Sequence, residues 1–209
     1  MSKIHVVRQG EYLSKIASEN GFSSHKAIWD HPENAELKNK RGNPNVLFPG
    51  DRIFIPDKEI KEESCAGDQR HRFRYHGEVL MLRIVVKDAE DQPIADTSCE
   101  LRLGLTKYPL TTDSNGRIEQ RIPMNATSGK LTIQDTEIPL EIGRLDPVEE
   151  PTGWQSRLHN LGYNIGPMGC IKEQQIRLAV EEFQCDFGLK VDGDCGPNTQ
   201  AKLKEIHGC

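Results

Sequence analysis

The apolar residues of this 209-residue chain change their period twice, and that change constrains the fold more than any other feature. Near the N-terminus the alternating run IHVVRQG gives way to helical spacing in YLSKIASENGF. There Leu13, Ile16 and Ala17 lie at i, i+3 and i+4, and Asn20-Gly21 supplies a stop. A second helix is expected over SSHKAIWDH, capped by Ser23 or Ser24, with a restart at Pro32. A closing strand follows in NPNVLFPGDRIFIP, whose Ile53 and Ile55 share a face. From about Phe73 to Asp146 the period is two: EVLMLRIVV, SCELRLG, YPLTT, RIEQRIP, KLTIQ and IPLEIG read as strands, and Asn115-Gly116 reads as a hairpin turn. Six or seven short strands in this length imply a β-sandwich, because such a sheet buries one face only against another sheet. After Pro147 the helical period returns, in Trp154, Leu158 and Leu161, in Ile176, Ala179, Val180 and Phe183, and in Thr199, Leu203 and Ile206. At this length the chain could be one large domain or two or three small ones, and the pattern along it favours three, so an α+β multidomain fold is expected. Its parts are a module over 1–57, a charged linker over 58–72, a β-sandwich over 73–146 and three helices over 147–209.

Several function classes fall away on composition and motif. The net charge is −5 and the basic residues are scattered, which argues against nucleic acid as a partner. Nothing approaches the roughly 18 apolar residues of a membrane span, so membrane insertion is not expected. The start MSKIHVVRQG lacks a charged segment followed by an apolar run, so no secretory leader is expected and synthesis is assigned to the cytoplasm. The seven histidines are dispersed, and no HExxH, GxSxG, phosphate-binding or dinucleotide motif occurs, so neither an enzyme nor a cofactor is expected. DGDCG at Asp192–Gly196 begins like a calcium loop, but Gly196 falls at the third ligand position and Pro197 where the turn glycine belongs. The C-terminal cysteines lack a CxxC pair, so no metal site is expected.

Three stretches carry family resemblances. Gly10-Glu11-Tyr12-Leu13-Ser14-Lys15-Ile16-Ala17 and Val46-Leu47-Phe48-Pro49-Gly50-Asp51-Arg52-Ile53-Phe54-Ile55-Pro56 resemble the opening and closing motifs of a LysM module. In this sequence Tyr12 stands where that family has threonine, His31-Pro32 stands for Asn-Pro, and ENAELKNKRG is an insertion. The resemblance implies a βααβ fold that binds N-acetylglucosamine polymers, with Gly10, Glu11, Tyr12, Leu13, Asn45, Val46, Leu47 and Phe48 beside the groove. TTDSNGRIEQRIP resembles a run in immunoglobulin-like or transthyretin-like spacer domains of bacterial surface proteins. In the last segment, Gln155-Ser156-Arg157-Leu158, Asn160-Leu161-Gly162-Tyr163, Phe183-Gln184 and Val191-Asp192-Gly193-Asp194-Cys195-Gly196-Pro197-Asn198-Thr199 resemble the three-helix peptidoglycan-binding domain. That family is built on two loop-helix units, and MGCIKEQQIRLAV is an eroded first copy. The resemblance implies Asp192, Gly193 and Asn198 as glycan-binding residues.

Cysteines occur at 65, 99, 170, 185, 195 and 209, an even number crowded toward the C-terminus. A helix rising ~1.5 Å per residue separates Cys170 from Cys185 by about 20 Å, too far for a bridge. Cys170 with Cys209, and Cys185 with Cys195, is the preferred pairing, and reduced buried thiols are the alternative. The functional expectation is a non-catalytic peptidoglycan-binding protein. Its three-part layout resembles proteins found beside type VI secretion or related contractile injection genes, which implies delivery to the periplasm or cell wall by a dedicated machine. The alternative is a structural adaptor or spike-associated component that holds a secreted effector or a machine protein and binds no glycan.

Overall fold

The structure is a computed structural model and describes residues 2–58, 64–72, 79–90, 92–166 and 172–208. Most buried apolar side chains among the described residues fall in three hydrophobic clusters, one for each segment of the sequence.

Around the first cluster the order is β1 (Lys3–Val6), α1 (Leu13–Glu19), α2 (Lys26–Trp29), a single 3-10 turn at Pro32–Asn34, α3 (Ala35–Arg41) and β2 (Arg52–Ile55). β1 and β2 pair antiparallel, with Ile4 opposite Phe54, which sends Ile53 and Ile55 inward against Leu13, Ile16, Ile28 and Leu47. The far edge of β2 is closed by a side chain. Asn34 Oδ1 accepts from the Phe54 amide at 2.8 Å and Asn34 Nδ2 donates to the Phe54 carbonyl at 2.8 Å, so a buried amide takes the place of a further strand. The sequence insertion after Pro32 is α3, ended by Gly42 in the positive-φ region that terminates helices without a Cβ clash.

The central segment forms six strands: β3 (Leu80–Val85), β4 (Ser98–Leu103), β5 (Thr106–Thr111), β6 (Arg117–Ile122), β7 (Ser128–Ile133) and β8 (Thr136–Glu141). They make two antiparallel sheets, β3-β6 and β5-β4-β7-β8. Alternation turns Cys99, Leu101, Leu103, Leu131 and Ile133 of one sheet toward Ile118 and Ile122 of the other in a common core. The expected hairpin at Asn115-Gly116 is corrected here. The turn itself forms, with the Gly116 amide on the Asp113 carbonyl at 3.0 Å, yet β5 pairs with β4 and β6 pairs with β3. Gly116 explains the crossing: its carbonyl accepts from the Val86 amide at 2.9 Å, and a Cβ there would lie 2.5 Å from the Val86 carbonyl oxygen. Only glycine lets the turn dock on the opposite sheet, and the chain changes sheets where it would otherwise fold back. Two-residue hairpins form elsewhere: β4 joins β5 through Gly104 and Leu105, and β7 joins β8 through Gln134 and Asp135, both at positive φ.

Around the third cluster stand α4 (Pro151–Asn160), α5 (Glu173–Asp186) and α6 (Pro197–His207). Leu158, Val180, Phe183 and Leu203 meet with no exposed surface, and Phe187 and Tyr163 ring Phe183. Proline begins α4 and α6, where its missing N–H has no helical partner to lose.

Candidate functional site

Two loop systems carry the residues singled out from the sequence. The first precedes α6. Gln184, on the inner face of α5 and 1% exposed, reaches into this loop and is its hub. Its Oε1 accepts from the amides of Asp192 and Gly193, each at 3.0 Å, while its Nε2 lies 2.9 Å from Asp192 Oδ1, 3.0 Å from the Asp194 carbonyl and 3.1 Å from Thr199 Oγ1. The repeated glycine and aspartate of the motif thus have structural reasons. Gly193 has φ +73°, and a Cβ on it would press on Arg177 and Glu181 at under 3 Å. Asp192 also accepts from the Asp194 amide at 3.1 Å, and these bonds from Gln184 and Asp194 hold its carboxyl below the usual carboxylate range. Held this way, the loop leaves Asp194 and Asn198 exposed, with Lys190 and Val191 beside them in water. The sequence-derived trio therefore divides: Asp192 and Gly193 are half-buried and shape the loop, while Asn198 is free to meet a ligand.

Cys195 belongs to this loop and packs against the helical core, where burial pushes its thiol up to about 12. Cys185 and Cys195 are free cysteines, which corrects their expected pairing. Cys185 follows Phe183 by two positions, so the helix that turns Phe183 inward turns Cys185 outward while Cys195 points in. Cys65 and Cys99 are free as well, Cys99 within the β core. The pair Cys170 with Cys209 lies outside the described residues.

The second system comprises residues 10–13 and 45–48 of the N-terminal module, expected to border an open groove. The structure covers much of it. Tyr12 is 1% exposed, and its hydroxyl lies 2.8 Å from the Met124 carbonyl and 2.7 Å from the Ala126 carbonyl, both in the β6–β7 connection. Burial, reinforced by the charge of Glu19, raises its phenol to about 12. The ring lies over Gly143, where a Cβ would fall 2.0 Å from Tyr12 Cδ1, and the Arg144 side chain lies against Gly10. Next to them Gln9 Nε2 approaches Asp146 Oδ1 at 3.4 Å. Leu13 and Leu47 are core, whereas Val46 is buried outside that cluster and lines a small cavity. Asn45 accepts from buried Ser14 at 3.2 Å and its amide donates to Asn43 Oδ1 at 2.9 Å, so it organises the loop. Glu11 faces inward, accepting from the Arg8 amide at 2.9 Å and meeting His5 Nε2 at 2.7 Å. Burial works against its ionised form, but these two bonds outweigh it and its carboxyl is held low. Phe48 is half-buried beneath the Arg41 guanidinium, 5.6 Å from its ring centre.

Two buried charged groups lie near these loops, one inside the N-terminal module and one in α4. Arg41 and Asp51 form a two-point ion pair, 2.8 Å at each contact, with side chains 5% and 6% exposed. Asp51 also accepts from the Phe48 amide at 2.9 Å, which fixes the 45–48 turn. Arg157, fully buried in α4, donates to the Asp146 and Gly153 carbonyls at 2.8 Å each. Asp146 in turn accepts from Thr152 Oγ1 at 2.6 Å. A cavity of about 20 Å³, room for one water, lies where Asn43 and Val46 of the first module meet Pro147, Val148, Arg157 and Lys204. The side that residues 43–46 turn outward is thus toward the connector and the helical domain. A buried arginine beside Leu158 leaves no trace in hydrophobic periodicity, and the ion pair spans ten residues with no motif to mark it.

Comparison with protein families matches residues 152–203 to the family described as "Putative peptidoglycan binding domain". That span contains α4, α5, the Gln184-centred loop and most of α6. Comparison with curated proteins and with solved structures gives no match. Residues 152–203 are thus similar to that family within a mixed helix-and-sheet chain, and the match supports peptidoglycan binding.

Proposed function

We propose that this chain is a non-catalytic cell-wall-binding protein in which the C-terminal helical domain is the working contact with peptidoglycan. One observation carries this reading: the segment that matches a peptidoglycan-binding family holds its signature loop from within, through Gln184, and presents Asn198, Asp194 and Lys190 to solvent. A loop fixed by buried bonds meets a stiff polymer with little ordering cost. The N-terminal module is read as LysM-like from its motifs, and the two-sheet segment as an immunoglobulin-like spacer. Delivery by a type VI or related contractile machine is part of this reading, supported by the resemblance of the three-part layout to proteins found beside such genes.

The adaptor reading keeps a place because of a specific observation: Tyr12 of loop 10–13 and Val46 of loop 45–48, which a glycan-binding N-terminal module would present, are buried, Tyr12 on the Met124 and Ala126 carbonyls and Val46 at the cavity beside Pro147, Val148 and Arg157. Sedimentation with purified sacculi separates the two. Wild type is expected in the pellet, and Asn198→Ala with Lys190→Ala is expected to reduce the pelleted fraction several-fold. Wild type remaining in the supernatant, as an albumin control does, overturns the wall-binding reading in favour of the adaptor. Release of soluble muropeptides overturns the non-catalytic one.

A further inference from the structure

We propose that the contact between Tyr12 and the β-sandwich is a latch that keeps the N-terminal module's recognition loops closed, so that this module takes up N-acetylglucosamine oligomers only when the latch opens. The inference rests on the reading of residues 10–13 and 45–48 as glycan-facing.

The interface has the construction of a removable contact. One ring, that of Tyr12, fills the space above Gly143 and leaves none for a side chain there, since a Cβ at Gly143 would fall 2.0 Å from it. One hydroxyl proton serves two carbonyls, those of Met124 and Ala126, at 2.8 and 2.7 Å. A single proton cannot satisfy both fully, so both carbonyls gain when water replaces it. A further polar tie, Gln9 to Asp146, is long at 3.4 Å, and Asp146 is independently held by Thr152. Opening therefore leaves each domain's own core untouched: Tyr12 lies outside the cluster formed by Leu13, Ile16, Ile28 and Ile53, and Gly143 and Arg144 follow the last strand of the sandwich. By contrast, the bonds that shape the loops themselves, Arg41 with Asp51 and Ser14 with Asn45, lie within the N-terminal module and persist when it separates. The module would emerge with its loops already formed.

The thermodynamic consequence is simple. A saccharide that binds only the open form binds in proportion to the open fraction, and weakening the latch raises apparent affinity by the same factor. The test uses the full chain, an N-acetylglucosamine pentasaccharide as probe in calorimetry, and hydrogen exchange of residues 8–13 and 143–148 as the measure of opening. Gly143→Val forces the Tyr12 ring out and is expected to speed exchange in both segments and to tighten pentasaccharide binding about tenfold or more. Tyr12→Phe keeps the ring, removes the shared proton and is expected to move both readings the same way by a smaller factor. It also serves if the valine variant does not fold. Faster exchange in either variant with wild-type affinity overturns the latch while leaving the glycan reading of the loops in place. Faster exchange with no binding by any form overturns both that glycan reading and the latch, and leaves the C-terminal domain's sedimentation with sacculi as it was. Unchanged exchange in both variants shows that Tyr12 does not close the module and also overturns the proposal.

Discussion

At the C-terminal end a neutral amide, Gln184, holds its loop from inside and leaves the outer side chains in water. At the N-terminal end an ion pair, Arg41 with Asp51, shapes the 45–48 turn, and the neighbouring domains then close over the loops from outside. Both loops are held by side-chain bonds to backbone amides. They differ in what the outer face meets: solvent in one case, the chain itself in the other. A motif thus records how a loop is built, and the surroundings decide whether it is available. On the proposed reading, wall contact falls to the exposed loop and the covered one is conditional.

The largest expected effect breaks the N-terminal half of that comparison. Asp51→Ala leaves the Arg41 guanidinium buried without its carboxylate and frees the Phe48 amide, so it should cost about 3–5 kcal/mol, as for other buried pairs stripped of one partner. Denaturant unfolding with hydrogen exchange should place the loss in residues 35–55, with sacculus pelleting unchanged. A loss of pelleting would mean that the N-terminal loops already contact the wall in the closed chain. Gln184→Leu strikes the other half. It is nearly isosteric but abandons two amides and three further polar atoms, and should cost about 2–3 kcal/mol, less than the charged pair because water reaches the loop's outer side. Here pelleting should fall sharply while exchange in residues 35–55 stays as in wild type. If Gln184→Leu pellets normally, the loop is not the wall contact.

Much of this was legible in the sequence, for identifiable reasons. Period two and period 3.6 located the six strands and the three C-terminal helices, because each element buries one face of a single core. The glycines and prolines of the loop before α6 marked its turn. What the pattern missed is long-range. Asn115-Gly116 makes the expected turn, but pairing across it depends on Val86, thirty positions back, which offers its amide to Gly116. Tyr12 reads as a surface aromatic until Met124, Ala126 and Gly143 are seen around it. Arg157 and Asp51 carry charge and would be assigned to solvent by composition, yet each is buried because its polar atoms are met, Asp51 by Arg41 and the Phe48 amide, Arg157 by the Asp146 and Gly153 carbonyls. A cysteine pair within reach in sequence, Cys185 and Cys195, fails on direction: one faces out and one in.

The smallest effect sharpens the comparison by pH. Desolvation, with a further push from the positive charge of Arg157, lowers the imidazole of His207 to about 4. Asn160 Nδ2 lies 3.1 Å from its Nε2, so Nε2 accepts and the ring proton sits on Nδ1, which finds no partner among the described residues. Above about pH 6.5 the ring is neutral folded and unfolded, and the group costs nothing on this account. Between about 6.5 and 4 the unfolded chain takes up a proton that the folded chain refuses, so stability declines as pH falls, and below about 4 the decline stops because both forms are charged. With partial exposure allowed for, the loss is on the order of 1–2 kcal/mol. Asp51 behaves differently over the same window. Burial disfavours its charge, but the Arg41 contacts and the Phe48 amide more than offset this, so its carboxyl stays below the usual range and the N-terminal pair remains ionised. Acid should therefore loosen α6 before it loosens residues 35–55. Hydrogen exchange at pH 7 and pH 5, corrected for intrinsic rates, should show about tenfold faster opening of the C-terminal helices alone. His207→Phe should flatten that difference, whereas a pH response equal at both ends would show that His207 is not its source.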